Sequence, residues 1–129
     1  MKAPLKRILY AEDEPDIQEV TILALETLGE FLVKACRSGS QIIELARSFQ
    51  PDLVLLDVMM PDMDGPTTLT ALHGTAGFES TPVIFMTAKA MEREIQQLKD
   101  MGALAVITKP YDPATLCARI EEIWQHGGD

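Results

Sequence analysis

Three short stretches of the chain, Ile8-Leu9-Tyr10, Leu53-Val54-Leu55-Leu56 and Val83-Ile84-Phe85-Met86, are apolar at every consecutive position. A strand with one wet face alternates apolar and polar residues, because successive side chains point to opposite faces. A run that never alternates suits a strand covered on both sides, the usual condition of a parallel sheet. Parallel neighbours cannot be joined by a tight hairpin and need a crossover, normally a helix. The chain supplies such crossovers. Strand candidates at Arg7–Ala11, Phe31–Cys36, Leu53–Asp57, Val83–Met86 and Leu104–Thr108 alternate with stretches of helical period. Ile17, Val20, Ala24 and Leu28 make one apolar stripe, with Gly29 as its C-cap, and Ile42, Leu45, Ala46 and Phe49 make another. Met91, Ile95 and Leu98 form a stripe closed by Gly102, and Leu116, Ile120, Ile123 and Trp124 form the last. Breakers such as Gln50-Pro51-Asp52 and Ser80-Thr81-Pro82 stand where strands should begin.

Strand then helix, repeated five times, gives an α/β fold: right-handed crossovers place helices on both faces of a doubly wound five-stranded parallel sheet. A chain of 129 residues is too short for an eight-fold barrel and fits a single domain, 1–129, with a core of about 6–124. The net charge of −9, with no basic run, argues against direct nucleic-acid binding, which relies on Lys and Arg neutralising phosphates. No segment reaches the roughly 18 continuous apolar residues of a membrane helix. The start, Met1 to Arg7, lacks the apolar centre of a secretory leader, so a cytoplasmic location with no membrane contact is expected. Cys36 and Cys117 lie in apolar runs without metal-ligand spacing and read as buried thiols.

Ligands of such sheets bind beyond the carboxyl ends of the strands. The first strand runs into Glu12-Asp13-Glu14, the third ends at Asp57, the fourth at Thr87 and the fifth at Lys109-Pro110. Each group alone is unremarkable: acids before Pro15 also suit a helix start. Together they converge on one crevice. Like charges about 4 Å apart repel by about 4 kcal/mol at an effective dielectric of about 20. One lysine cannot balance three carboxylates, so a hard divalent cation with oxygen ligands, Mg²⁺ above all, fits the gap. The backbone carbonyl of Met59, two residues past Asp57, is placed to complete its shell. A metal-bound carboxylate flanked by a hydroxyl and an ammonium is equipped to take a phosphoryl group as an acyl phosphate.

These motifs resemble the response-regulator receiver family, the chemotaxis-type receivers of two-component signalling. The most specific piece is Leu55-Leu56-Asp57-Val58-Met59-Met60-Pro61-Asp62-Met63-Asp64-Gly65; Glu12-Asp13, Thr87-Ala88 and Gly102-Ala103 leading to Lys109-Pro110 follow the same family pattern. The resemblance implies a flavodoxin-like (βα)₅ sheet of order 2-1-3-4-5 and a cis Lys109–Pro110 bond. It also implies a stand-alone phosphoacceptor, not an enzyme acting on a separate substrate. Asp57 would receive the phosphoryl group from a histidine kinase or histidine phosphotransfer protein. Glu12, Asp13, Asp57 and the Met59 carbonyl would hold Mg²⁺, while Thr87 and Lys109 bind the phosphoryl oxygens. The output would be a downstream protein bound at the face of helix four, strand five and helix five, around Ala90–Lys99 and Tyr111–Glu121. Two positions depart from the family pattern: Val106 replaces the usual aromatic three residues before the lysine, and Glu12 replaces an aspartate.

The remaining residues carry blander expectations. Met59, Met60, Met63, Met86, Met91 and Met101 read as core or gap filler, His73 and His126 as solvent-facing, Trp124 as packed, and His126–Asp129 as a frayed tail. Two other functions compete: an interaction domain that no longer takes phosphate, and an aspartyl-phosphate phosphatase. The second lacks a general-acid aspartate two residues after Asp57, where Met59 stands.

Overall fold

The computed structural model describes residues 3–88 and 91–127. Strands β1 (Arg7–Ala11), β2 (Leu32–Cys36), β3 (Leu53–Asp57), β4 (Val83–Thr87) and β5 (Ala105–Thr108) alternate with helices α1 (Pro15–Thr27), α2 (Ile42–Phe49), α3 (Gly65–His73), α4 (Glu92–Asp100) and α5 (Pro113–His126). A single 3₁₀ turn, Gly39–Gln41, leads into α2. All strands run parallel in the order β2-β1-β3-β4-β5, as expected. The Lys109–Pro110 bond is cis.

The unalternating runs have the cause the sequence suggested. Every residue of β3 and β4 is buried, as is all of β1 after Arg7. Strand parity then sorts the side chains into two cores. Ile8, Tyr10, Leu53, Leu55, Ile84, Met86 and Ile107 pack with α1 and α5; Leu9, Ala11, Val54, Leu56, Val83, Phe85 and Val106 pack with α2, α3 and α4. Fully burying one such side chain is worth about 1.5–3 kcal/mol, so each strand is held from both sides. The edge strand β2 is covered far less, with Leu32 and Lys34 exposed.

Several expectations need correction. Strands β2 and β5 begin one residue later than expected, and β4 extends to Thr87. The buried stripe of α1 is Thr21, Ala24 and Leu25, whereas Val20 is 52% and Leu28 60% exposed. Leu28 is itself the C-cap, beyond the last turn, and Ile17 and Val20 face a groove beside Lys109. Gly29 does not cap in a left-handed conformation; its N–H reaches the Ala24 carbonyl at 3.3 Å. His73 is half-buried, with Nε2 2.9 Å from the Thr81 carbonyl oxygen. Met60 and Met86 are core, but Met59, Met91 and Met101 are exposed. Trp124 packs as expected and donates from Nε1 to the Ala3 carbonyl at 2.8 Å. His126 belongs to the last turn of α5, which Gly127 closes at φ 70°; Gly128, Asp129 and Ala90 lie outside the described residues.

Gln50 closes α2 in the left-handed region at φ 54°, ψ 65°, where a β-carbon is crowded. Its side chain is exposed and, among the described residues, bonds only the Arg47 carbonyl. Gln50→Gly should therefore stabilise the fold by about 0.5–1 kcal/mol, read as a rise in the chemical-denaturation midpoint at unchanged slope.

Candidate functional site

The carboxyl ends of β1, β3, β4 and β5 gather the chemistry. Register pairs Ala11 with Leu56, Asp57 with Met86 and Thr87 with Thr108, so Asp57 ends the central strand with a neighbour on each side. Backbone bonds continue the ladder past the strand ends: Glu12 N–H to Cys36 O at 3.1 Å, Val58 N–H to Met86 O at 3.0 Å, and Lys109 N–H to Thr87 O at 2.7 Å. The residues that follow each strand therefore sit on a fixed rim.

On that rim the Lys109 ammonium donates to Glu12 Oε1 and to Asp57 Oδ2, both at 2.9 Å. Asp57 Oδ1 accepts from the Met59 N–H at 3.2 Å, and Glu12 Oε2 from the Glu14 N–H at 3.3 Å. Carboxylate oxygens of Glu12, Asp13 and Asp57 lie within 4.8 Å of one another. Glu12 is fully buried and Asp57 5% exposed, leaving Asp57 a narrow opening to solvent, while Asp13 is half-buried. Thr87 is also buried, at the end of β4. Each candidate residue thus stands at this rim, and Lys109, Glu12 and Asp57 are in direct contact.

The crowding leaves an electrostatic signature. Burial, and then the hydrogen bond and charge of Asp57, push the Glu12 carboxyl up from 4.5 to about 7 against the opposing pull of Lys109. Burial alone would lower the Lys109 ammonium, but its bonds to Asp57 and Glu12 outweigh that and raise it. The Tyr10 hydroxyl is pushed far up, by burial first and by Tyr111 next. Three acids facing one cation form a site short of positive charge, and the hard oxygen donors suit a divalent ion of the Mg²⁺ type.

Two supporting residues escaped the sequence reading. Gln18 donates from Nε2 to the carbonyls of Cys36 at 2.8 Å and Glu12 at 3.2 Å, tying α1 to the turn that carries Glu12. No sequence pattern marks a glutamine in a first helical turn as a backbone clamp. Gly65 starts α3 against the Asp57 loop: its N–H bonds Val58 O at 2.9 Å, and a β-carbon there would fall 2.7 Å from Asp57 O. Its signal was present as the last residue of the Leu55-to-Gly65 motif. Asp64 caps α3 by accepting from the Thr67 N–H at 2.8 Å.

Comparison with known proteins agrees with this geometry. Residues 8–121 match the family described as response regulator receiver domain, and the chain belongs to that family. It is 38% identical over 122 residues to the transcriptional regulatory protein CseB of Streptomyces coelicolor, covering 94% of this chain and 50% of that protein. It is 34% identical over 116 residues to the response regulator Rre1 of Synechocystis, covering 90% of this chain and 50% of that one. The chain thus spans about half the length of these relatives. A CheY-like receiver domain protein from Methanospirillum hungatei superposes with TM-score 0.82 at 27% identity, over 96% of this chain and 97% of that one. The chemotaxis response regulator CheY4 of Vibrio cholerae, at 23% identity, shares the fold with TM-score 0.85 over 93% of this chain and 99% of its own.

The raised Glu12 carboxyl has a measurable consequence. Between 4.5 and about 7 the folded protein holds a proton that the unfolded chain has released, so this group's stabilisation is present at low pH and lost as pH rises. With chelator present, Glu12→Gln should gain stability relative to the parent as pH rises from about 5 to about 8. Thermal melts of both proteins across that range check it; parallel curves would remove the effect.

Proposed function

We propose that Asp57 accepts a phosphoryl group from a histidine kinase or histidine phosphotransfer protein, and that the chain then signals to a downstream protein. One observation carries this reading: the Lys109 ammonium bridges Asp57 and the buried Glu12 at 2.9 Å, fixing an aspartate that solvent reaches through a narrow opening. An Asp57 carboxylate oxygen attacks phosphorus in line with the donor imidazole. The phosphorus–nitrogen bond breaks, the imidazole leaves with its electron pair, and an acyl phosphate forms on Asp57. Lys109 and Thr87 take the phosphoryl oxygens. Glu12, Asp13, Asp57 and the Met59 carbonyl would hold Mg²⁺, which when bound offsets charge on the transferring oxygens. The reaction stays on the chain's own aspartate, so the chain acts as a signalling receiver and not as an enzyme with a separate substrate.

Two grooves support a route in and a route out. One of about 420 Å³, lined by Ile17, Val20, Ala88, Pro110 and Tyr111, opens beside Lys109 and suits a donor helix that must bring its imidazole to the rim. The other, of about 230 Å³, runs from Thr87 past Val58 to Glu94, Leu98 and Met101 around α4. The phosphoryl group adds about −1.5 to −2 charges, and contacts made only in that state bias a two-state element. We place the response on the face of α4, β5 and α5. With Val106 in place of a ring, the Thr87 shift passes to α4 through the second groove. The setting we infer is cytoplasmic, with protein partners and no nucleic acid; among the described residues no helix is long and apolar enough to cross a membrane.

Acetyl phosphate with Mg²⁺ should place one acid-stable, hydroxylamine-labile phosphate on each chain. Asp57→Asn should abolish it, and chelation should suppress it. Intact-mass measurement reads all three. A chain that takes no label would be an interaction domain alone, and turnover of a phosphomonoester without labelling would make it a phosphatase.

A further inference from the structure

We propose that Tyr111 positions the Lys109–Pro110 segment through a hydroxyl exchange: it bonds Thr21 at rest, and Thr21 turns to Tyr10 when the segment moves. The inference rests on the phosphoacceptor reading for its purpose but not for its geometry. Thr21 Oγ1 and the Tyr111 hydroxyl lie 2.8 Å apart, joining α1 to the turn that follows Lys109. Thr21 is 1% exposed, so its hydroxyl has no recourse to water. Tyr10 is fully buried in the core against which Tyr111 packs, and its hydroxyl has no hydrogen-bond partner among the described residues. The Thr21 and Tyr111 hydroxyls act on it, but from outside the distance and angle of a hydrogen bond. Three hydroxyls thus share one bond, and the third waits beside the other two.

A buried hydroxyl without a partner is costly and calls for an explanation. A threonine hydroxyl has one hydrogen and two lone pairs and rotates freely, so it is the geometry, with Tyr111 in range and Tyr10 out of it, that decides which partner it bonds at rest. If Tyr111 stays, Tyr10 is orphaned. If Tyr111 swings toward the groove it lines, its hydroxyl hydrates, and Thr21 bonds Tyr10 with no orphan left. The shifted arrangement gains a hydrogen bond, whereas the resting one keeps the Tyr111 ring packed against the core; the two opposing gains are what a switchable element needs. Lys109 is two residues away. Its ammonium spans Glu12 and Asp57 at rest, and a phosphoryl group on Asp57 competes for it, drawing on the segment that Tyr111 anchors. Tyr10 stands two residues before Glu12, and the Glu12 charge acts on its hydroxyl, so the waiting group is coupled to the acid that Lys109 would leave.

The chain has two tyrosines, so a fluorotyrosine-labelled protein gives two fluorine NMR signals, assigned with Tyr111→Phe. In the parent, beryllofluoride with Mg²⁺ should shift the Tyr111 signal and expose it to solvent, with Tyr10 shifting alongside. In Tyr10→Phe the Tyr111 signal should keep its resting position, and acetyl phosphate labelling should slow by about three- to ten-fold as the competent state becomes rarer. The resting melt should not fall, since an orphaned hydroxyl has been removed; a hydroxyl already hydrogen-bonded at rest would lower it on removal. In Thr21→Val the Tyr111 signal should sit at the shifted position with no phosphoryl mimic present. A Tyr10→Phe protein whose Tyr111 responds as the parent's does, or a Thr21→Val protein whose Tyr111 stays at rest, overturns the exchange. If the parent neither labels nor binds beryllofluoride, the phosphoacceptor reading fails, and Thr21→Val alone decides the exchange.

Discussion

A single ammonium group joins the acids at the working end of this molecule. Lys109 reaches back from the end of β5 to the acids that follow β1 and end β3, closing the rim around Asp57. Such a bridge is a poor source of stability: taking these charges out of water is expensive, and the buried acid shows it by holding its proton to about 7. The rim is therefore maintained by the rest of the fold. Two cores grip the strands, backbone bonds continue past their ends, and Gln18 clamps the turn that carries Glu12. What the sheet supports is a site poised for a change of charge.

The sheet itself was legible because burial on both faces leaves an unmistakable trace. Leu53–Leu56 and Val83–Met86 cannot alternate when each side chain has a core to enter, and their ends therefore named the crevice. Once the strands were placed, Glu12, Asp57 and Lys109 had to meet, because parallel strands present all their carboxyl ends to one side. The helix faces were harder. The stripe assigned to α1 had the right period, but a period does not say where a helix ends or which part of it overlies the sheet. Leu28 falls past the last turn, and Ile17 and Val20 serve a surface groove.

Residues that act through the backbone or through one neighbour left the weakest trace. Gln18 works by reaching two carbonyls from different segments, a relation that exists only after folding. His73 looked solitary because its partner is the Thr81 carbonyl, and carbonyls have no letter in a sequence. Tyr10 was taken, correctly, as one apolar member of a strand; that its hydroxyl lies beside Thr21 and Tyr111 depends on how three elements close together. Met59, Met91 and Met101 failed in the opposite direction: a flexible apolar chain is as much at home at the lip of a groove as in a core, and Met101 lines one.

The division of the strands into two cores has a further implication. Strands β1, β3, β4 and β5 are partition walls, with alternate residues committed to opposite rooms, and the rim is a doorway common to both. The groove beside Lys109 belongs to the α1 and α5 room, and the groove beyond Thr87 to the α4 room. On the proposed reading, a donor docked in the first groove and a change relayed through the second begin on opposite faces of the sheet, although both start from one aspartate.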